Sequence, residues 1–314
     1  MRRVLAIIAT VATLTVLPGA AAHATSPGRN GLILFGAETR HSGYELFTVR
    51  RTGADLTRIT NADDDAVHPD WSPDGRRIVF ELDHPSGPPY CSVVVMDADG
   101  SDMVDLSADQ TGCEGQPSYT SDGSRIVFGR FDDVLDEESI WSMDLGGGDR
   151  MKITTGIGRG VTDPNVSPDG QVVSFIEFNG EDLGQAIASV RSDGSDISTV
   201  VPFELDVAVK HDWAPNGRRI VFTDHADDFD RAANIATVRP DGTGLRYLTD
   251  YRRPRCRAYV GGYSPNGNWI VFRLEIGDRS GLFRMHPDGK DWREIIPLSS
   301  FRPRFIDWGP KPRE

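Results

Sequence analysis

Four residues with metal-ligating or acid–base side chains recur in one phase of this sequence: His68, Gln116, Asp163 and Lys210, with His211 one place further on. Imidazole changes charge near neutral pH and, when neutral, is a common metal ligand. Two imidazoles, a carboxylate and an amide oxygen meeting at one point could hold a divalent cation or a small polar ligand. Two local motifs carry less. The run Asp97-Ala98-Asp99-Gly100-Ser101-Asp102 opens like a calcium loop but lacks the later bidentate glutamate. In GYSPNG, 262–267, Asn266 stands where a nucleophile elbow requires its second glycine.

Residues so far apart can act together only if the fold repeats in the same phase. The stretch HPDWSPDGRRIVF at 68–80 returns as HDWAPNGRRIVF at 211–222. It reads as the end of one strand, a turn in which proline sets φ and glycine supplies a positive φ, and a second strand rich in β-branched and aromatic residues. The phenylalanine of that second strand recurs as Phe35, Phe80, Phe128, Phe175, Phe222 and Phe272, at spacings of 45, 48, 47, 47 and 50. A further strand–turn–strand follows in each unit, as in VVVMDADGSDMVDLS from Val93 and IATVRPDGTGLRYLT from Ile235. Four short antiparallel strands per unit, without helical periodicity, describe a propeller blade. The six phenylalanines are then expected to be the core between blades. The first unit starts at Gly31 with no inner strand of its own, whereas Phe305-Ile306-Asp307-Trp308 has the inner-strand pattern and no blade behind it. The expected fold is all-β: a six-bladed β-propeller of four-stranded antiparallel blades, closed by the C-terminal strand.

The SPDG turns with their RRIVF-like strands, and the DADG-type turns followed by hydroxylated ends such as Arg58-Ile59-Thr60, resemble the WD-like propeller repeat of the TolB family over essentially all of 30–310. TolB-like proteins of diderm bacteria sit in the periplasm and contact envelope partners, so the resemblance implies an envelope or extracellular interaction role. TolB proteins also carry an α/β domain before the propeller. Here the sequence passes from its leader straight into the first blade, which argues against a place in the Tol system.

Residues 1–24 read as a secretory signal: Arg2 and Arg3, an apolar run from Val4 to Leu17, and Ala22-His23-Ala24 as a cleavage site. Residues 25–314 are then one propeller domain, exported to the periplasm, envelope or extracellular space, without a membrane span and monomeric. The formal charge of −13 excludes nucleic acid, which demands a basic footprint. It fits a soluble protein facing cations or a basic partner surface.

Alternation of the strands puts the SPDG and DADG-type turns on one side of the disc. The opposite side takes the variable loops, where function on a rigid scaffold usually sits. Those loops are acidic: Asp63-Asp64-Asp65, 131–139, 179–185 and 224–232; RRPRCR at 252–257 is opposite in sign. Three residues before each bulky inner-strand position stand His68, Gln116, Asp163, Lys210, Val260 and Phe305, a ring at the channel mouth. His68, Gln116, Asp163, Lys210 and His211 are therefore the candidate binding residues. Two readings follow. The protein is a non-catalytic module that binds an envelope or extracellular protein or a polysaccharide without a cofactor; alternatively it is a metal-assisted polysaccharide lyase, or related carbohydrate-active enzyme, with a divalent cation at that mouth. In a six-membered ring Cys91 and Cys113 fall on one side in adjacent blades, while Cys256 opens the opposite blade. Any disulfide is then Cys91–Cys113, the alternative being three unpaired thiols.

Overall fold

The computed structural model describes residues 27–312, apart from 40–42, 62–63, 85, 88, 109–111, 133–134, 156–159, 179–183 and 226–229. The leader at 1–24, Asp63 and parts of the acidic loops at 131–139, 179–185 and 224–232 lie outside the described residues. Six four-stranded antiparallel sheets make up the fold. Blade 2 holds Asp65–Trp71, Arg77–Asp83, Cys91–Asp97 and Val104–Asp105, and blade 3 holds Cys113–Tyr119, Arg125–Asp132, Glu137–Asp144 and Met151–Lys152. Blades 4, 5 and 6 follow with inner strands Gly160–Val166, His211–Trp213 and Cys256–Tyr263.

Blade 1 takes its inner strand from the other end of the chain. Pro303–Pro310 pairs antiparallel with Asn30–Thr39, with Ile33 opposite Trp308 and Ala37 opposite Pro303. The ring is thus closed by hydrogen bonds, which leaves no free inner edge to recruit another strand. Its closing strand meets blade 2 tightly: a Cβ on Gly309 would come within 2.3 Å of the Trp71 ring, so only glycine fits there.

The turn chemistry explains why each unit repeats its residues. In blade 2 the Ser72 hydroxyl accepts from the Arg77 amide at 2.9 Å, the Asp74 carboxylate accepts from the Arg76 amide at 3.0 Å, and Gly75 has φ 68°. At the outer edge a hydroxyl after the fourth strand takes the third-strand amide that the short fourth strand leaves free. Thr60 accepts from Leu46 at 2.8 Å, Ser107 from Val93 at 3.1 Å, Thr154 from Ile140 and Thr249 from Ile235 at 2.9 Å.

Six apolar clusters, one between each pair of neighbouring blades, form the core. The six repeated phenylalanines are fully buried, one in each cluster. Burying one such ring contributes about 1.5–3 kcal/mol. A single blade cannot hide both faces, so stability comes from stacking. Cys91 and Cys113 are joined in a disulfide across blades 2 and 3 with Cα atoms 4.7 Å apart, and Cys256 is a free, half-buried thiol.

Removing 303–310 should abolish cooperative unfolding in denaturant titrations, or cause aggregation through the freed edge of blade 1; a truncated protein as stable as the full chain would contradict the closure. In mass mapping of unreduced protein, a peptide pair linked through Cys91 and Cys113 is expected, with Cys256 alkylated. Any bridge within the chain to Cys256 would contradict the arrangement of blades.

Candidate functional site

The channel mouth is built by strand irregularities. Inner strands of blades 2, 3 and 4 change register between Val67 and Asp70, Gly115 and Ser118, and Thr162 and Asn165. At each shift one residue takes the left-handed conformation: His68 at φ 47°, Gln116 at 49° and Asp163 at 48°, with Phe305 at 51° in the closing strand. Bulges of this kind turn a side chain out of the alternating pattern, here toward the axis. In three cases proline follows, as Pro69, Pro117 and Pro164, where the ladder is already broken and a missing N–H costs nothing. Non-glycine residues in this region are uncommon, and strained positions concentrate at functional or tightly determined sites.

His68, Gln116, Asp163, Lys210 and Phe305 line one small cavity at the mouth. They are locked to one another. The Gln116 side-chain oxygen accepts the Asp163 amide at 2.7 Å, the Glu81 carboxylate accepts the Gln116 amide at 2.8 Å, and the His68 ring lies 4.2 Å from that of Phe305. Burial pushes the His68 imidazole down to about 4; Asp163 opposes that shift and Lys210 adds to it. His68 is therefore neutral at physiological pH. Val260, the sixth member of the expected ring, does not reach the channel: it packs between blades 5 and 6, with its amide bonded to Thr223 at 2.9 Å.

His211 does not join the mouth either. It is fully buried behind Asp163, with Nδ1 3.2 Å from Asp163 Oδ2 and Nε2 2.7 Å from Ser174 Oγ. This is a Ser–His–Asp constellation that spacing alone did not reveal. Its signal was nonetheless in the sequence: Ser174 in VVSF replaces the valine of IVF in other blades. A nucleophile needs a free face for its substrate and donors for the developing oxyanion. Ser174 has neither. Its side chain is fully buried, its hydroxyl donates to Asn165 O at 3.1 Å, and it accepts from Trp213 Nε1 at 2.8 Å. The group ties blade 4 to blade 5.

Below the mouth, Lys210 also lines a second small cavity with Asp70, Asp212 and Asp307. These aspartates occupy one structural position, the residue before Trp71, Trp213 and Trp308. Each reaches across a blade boundary to a backbone amide: Asp307 to Trp71 at 2.9 Å, Asp70 to Tyr119 at 2.8 Å and Asp212 to Tyr263 at 2.6 Å. Burial drives the Asp70 carboxyl well up, with the Asp307 charge adding to it; burial likewise raises Asp307, against the pull of Lys210. Burial also works against the Lys210 ammonium, yet Asp163, Asp307, Asp70 and Asp212 around it outweigh that and hold its pKa above the ordinary lysine value. The channel sets one lysine among four carboxylates, and each of its two cavities has room for only about one water molecule.

Among the described residues, the one group of three or more histidine, cysteine or carboxylate side chains close enough to share a metal ion is Glu81, Cys91 and Cys113, whose two sulfurs are bonded to each other. In the basic loop Arg252 pairs with Asp250 at 3.0 Å, while Arg257 is buried with Nε 2.7 Å from the Tyr259 hydroxyl. On the opposite side of the disc, among the regular turns, a cleft of about 900 Å³ opens between blades 5 and 6, beside Asn216, Arg218 and Asn266.

Comparison with known proteins places these features in a group. The sequence pattern of the TolB beta propeller domain family matches residues 7–195 and 92–312. An uncharacterized protein of Agrobacterium fabrum is 30% identical over 171 residues, which cover 50% of this chain and 54% of that protein; the chain thus spans about half the length of that relative. The crystal structure of TolB from Acinetobacter baumannii superposes with a TM-score of 0.71 at 19% identity, covering 91% of this chain and 68% of that one. A putative TolB from Agrobacterium tumefaciens gives 0.64 at 15% identity, covering 90% and 99%. At such identities the likeness is one of fold.

If Lys210 is the counter-charge of the axis, Lys210→Met should destabilise the protein by about 3–5 kcal/mol, as uncompensated buried carboxylates do. Because Asp70 and Asp307 titrate above their ordinary range in the fold, the folded state holds protons that the unfolded state releases. Stability therefore falls as pH rises through their titration, and more steeply without the lysine. Denaturant titrations should show a smaller loss at pH 5 than at pH 8. Equal losses would contradict the assignment.

Proposed function

Because the chain belongs to the TolB β-propeller domain family, we propose that it is an exported, non-catalytic module that binds a protein or polysaccharide of the cell envelope or extracellular space. The observation that carries this reading is the confinement of the axis. Lys210 faces its aspartates, Ser174 and His211 are bonded to each other, and only water-sized room remains. Catalysis needs a substrate-sized space and a group free to act on it; the axial groups are committed to holding blades together. The outward surfaces remain for recognition, presented by a ring whose rigidity limits the entropy lost on binding. Export is supported by Arg2-Arg3, the apolar run to Leu17 and Ala22-His23-Ala24. Among the described residues no helix is long and apolar enough to cross a membrane.

The test uses immobilised full-length protein against a native envelope fraction and, separately, soluble polysaccharides, each with and without chelator. Retention of a defined partner that is unchanged in His68→Ala and unaffected by chelator is the expected result. Release of unsaturated oligosaccharides that stops on chelation and in His68→Ala would overturn the reading in favour of a lyase.

A further inference from the structure

The cleft between blades 5 and 6 departs from the rest of the protein in charge. The inner turns of blades 2, 3 and 4 carry Asp74, Asp122 and Asp169, whose carboxylates accept amides two residues on at 3.0, 3.0 and 3.1 Å. In the two turns that line the cleft, Asn216 and Asn266 make the same bond at 3.0 and 3.1 Å. The turn does not need the amide, so the substitution changes local charge and leaves geometry alone. Arg76 and Arg77 of blade 2 occupy the positions of Arg218 and Arg219 but follow a carboxylate, whereas Arg218, Arg219 and Arg239 line the cleft and no carboxylate does. Arg219 donates to Thr237 Oγ1 at 3.2 Å and Gly244 O at 3.0 Å, and Arg239 to Thr243 Oγ1 at 3.2 Å, with the Asp241 carboxylate near Arg239 but outside the lining. Arg218 is exposed. In a chain of net charge −13, three guanidinium groups gathered in one concavity without a lining carboxylate make a site for negative charge.

The rest of the lining narrows the occupant. Pro27 and Pro287, both half-buried, give apolar walls above the buried Pro215 and Pro265, and Tyr263 is only 2% exposed, so its ring offers no open face for a sugar to stack on. A cleft of about 900 Å³ exceeds a single small anion and falls in the range of a short segment of chain. One wall is the start of the propeller itself, held by the Gly28 amide donating to Pro265 O at 3.2 Å and by Asn30 Oδ1 accepting the Asn266 amide at 3.1 Å. We propose that this cleft docks an extended acidic peptide segment of a partner protein, with its carboxylates on Arg218, Arg219 and Arg239 and its apolar side chains against the prolines. The inference rests on the binding-module reading and supplies its surface and the chemistry of its partner.

The other blades provide substitutions that keep the turn. Asn216→Asp with Asn266→Asp restores the carboxylates of blades 2, 3 and 4, and Arg218→Gln installs the residue that Gln171 provides in blade 4. The probe is a fluorescein-labelled peptide of alternating glutamate and proline, read by anisotropy at low salt beside the same peptide with glutamine for glutamate. Binding of the acidic probe alone, weakening with added salt and falling about tenfold or more in the double asparagine variant, is expected. Arg218→Gln should weaken it several-fold, with unfolding transitions unchanged in all variants. Equal binding by the variants, or no binding, would overturn the proposal. So would preferential capture of dextran sulfate, or a concentration-dependent dimer that the double variant abolishes, which would assign the cleft to a polysaccharide or to a second copy. If the envelope partner is still retained by the double variant, the cleft fails while the module stands.

Discussion

A ring of six sheets brings the backbone of every inner strand to an axis too narrow to solvate it. Buried amides must find acceptors, and in this protein three of them find the aspartate of the preceding blade. Asp307, Asp70 and Asp212 each cross a boundary to Trp71, Tyr119 and Tyr263. Blade 6 has Gly262 at the equivalent place because a Cβ there would come within 2.8 Å of Asp212. Carboxylates used in this way bring charge into a confined space, and Lys210 is the answer to that charge. The axis therefore serves register and closure first.

That constraint accounts for the features that look chemical. The left-handed residues at the mouth, the depressed His68 imidazole and the Ser174–His211–Asp163 constellation share the marks of an active site: strain, a shifted pKa and a triad. Each is explained by packing between blades. His68 is neutral because it is desolvated against Phe305, and Ser174 is saturated because it lies under Trp213. A site needs room for a ligand as well as reactive groups, and the axis has only water-sized room.

The proposed docking cleft lies outward, on the side of the short regular turns. Two asparagines in place of aspartates, beside arginines, change the local charge without altering the turn geometry, since an asparagine oxygen accepts the same amide as an aspartate oxygen. The fold thus allows one blade boundary to differ in chemistry while remaining interchangeable with the others in structure. Variable loops are the usual place to look for such differences, but repeat proteins can also write them into positions whose backbone role two side chains share.

The architecture was legible in the sequence because it rests on local chemistry repeated in phase. Phenylalanine spacing, SPDG turns, hydroxylated strand ends and the orphan Phe305-Ile306-Asp307-Trp308 together specify six blades and their closure, and blade order alone put Cys91 beside Cys113. What the repeat could not convey was the direction of individual side chains. A bulge turns His68, Gln116 and Asp163 to the axis, while Val260 and His211, at or beside the same phase, turn into the walls. Whether a strand bulges depends on the pairing of its neighbours. The carboxylates around Lys210, the partner of Ser174 and the cleft between Asn216 and Asn266 likewise exist only once distant blades are brought together. Sequence by itself determined the repeating unit, because turn and strand preferences act over a few residues. The tertiary structure decided which charges meet, because that depends on which blades share a boundary and how far each side chain lies from the axis.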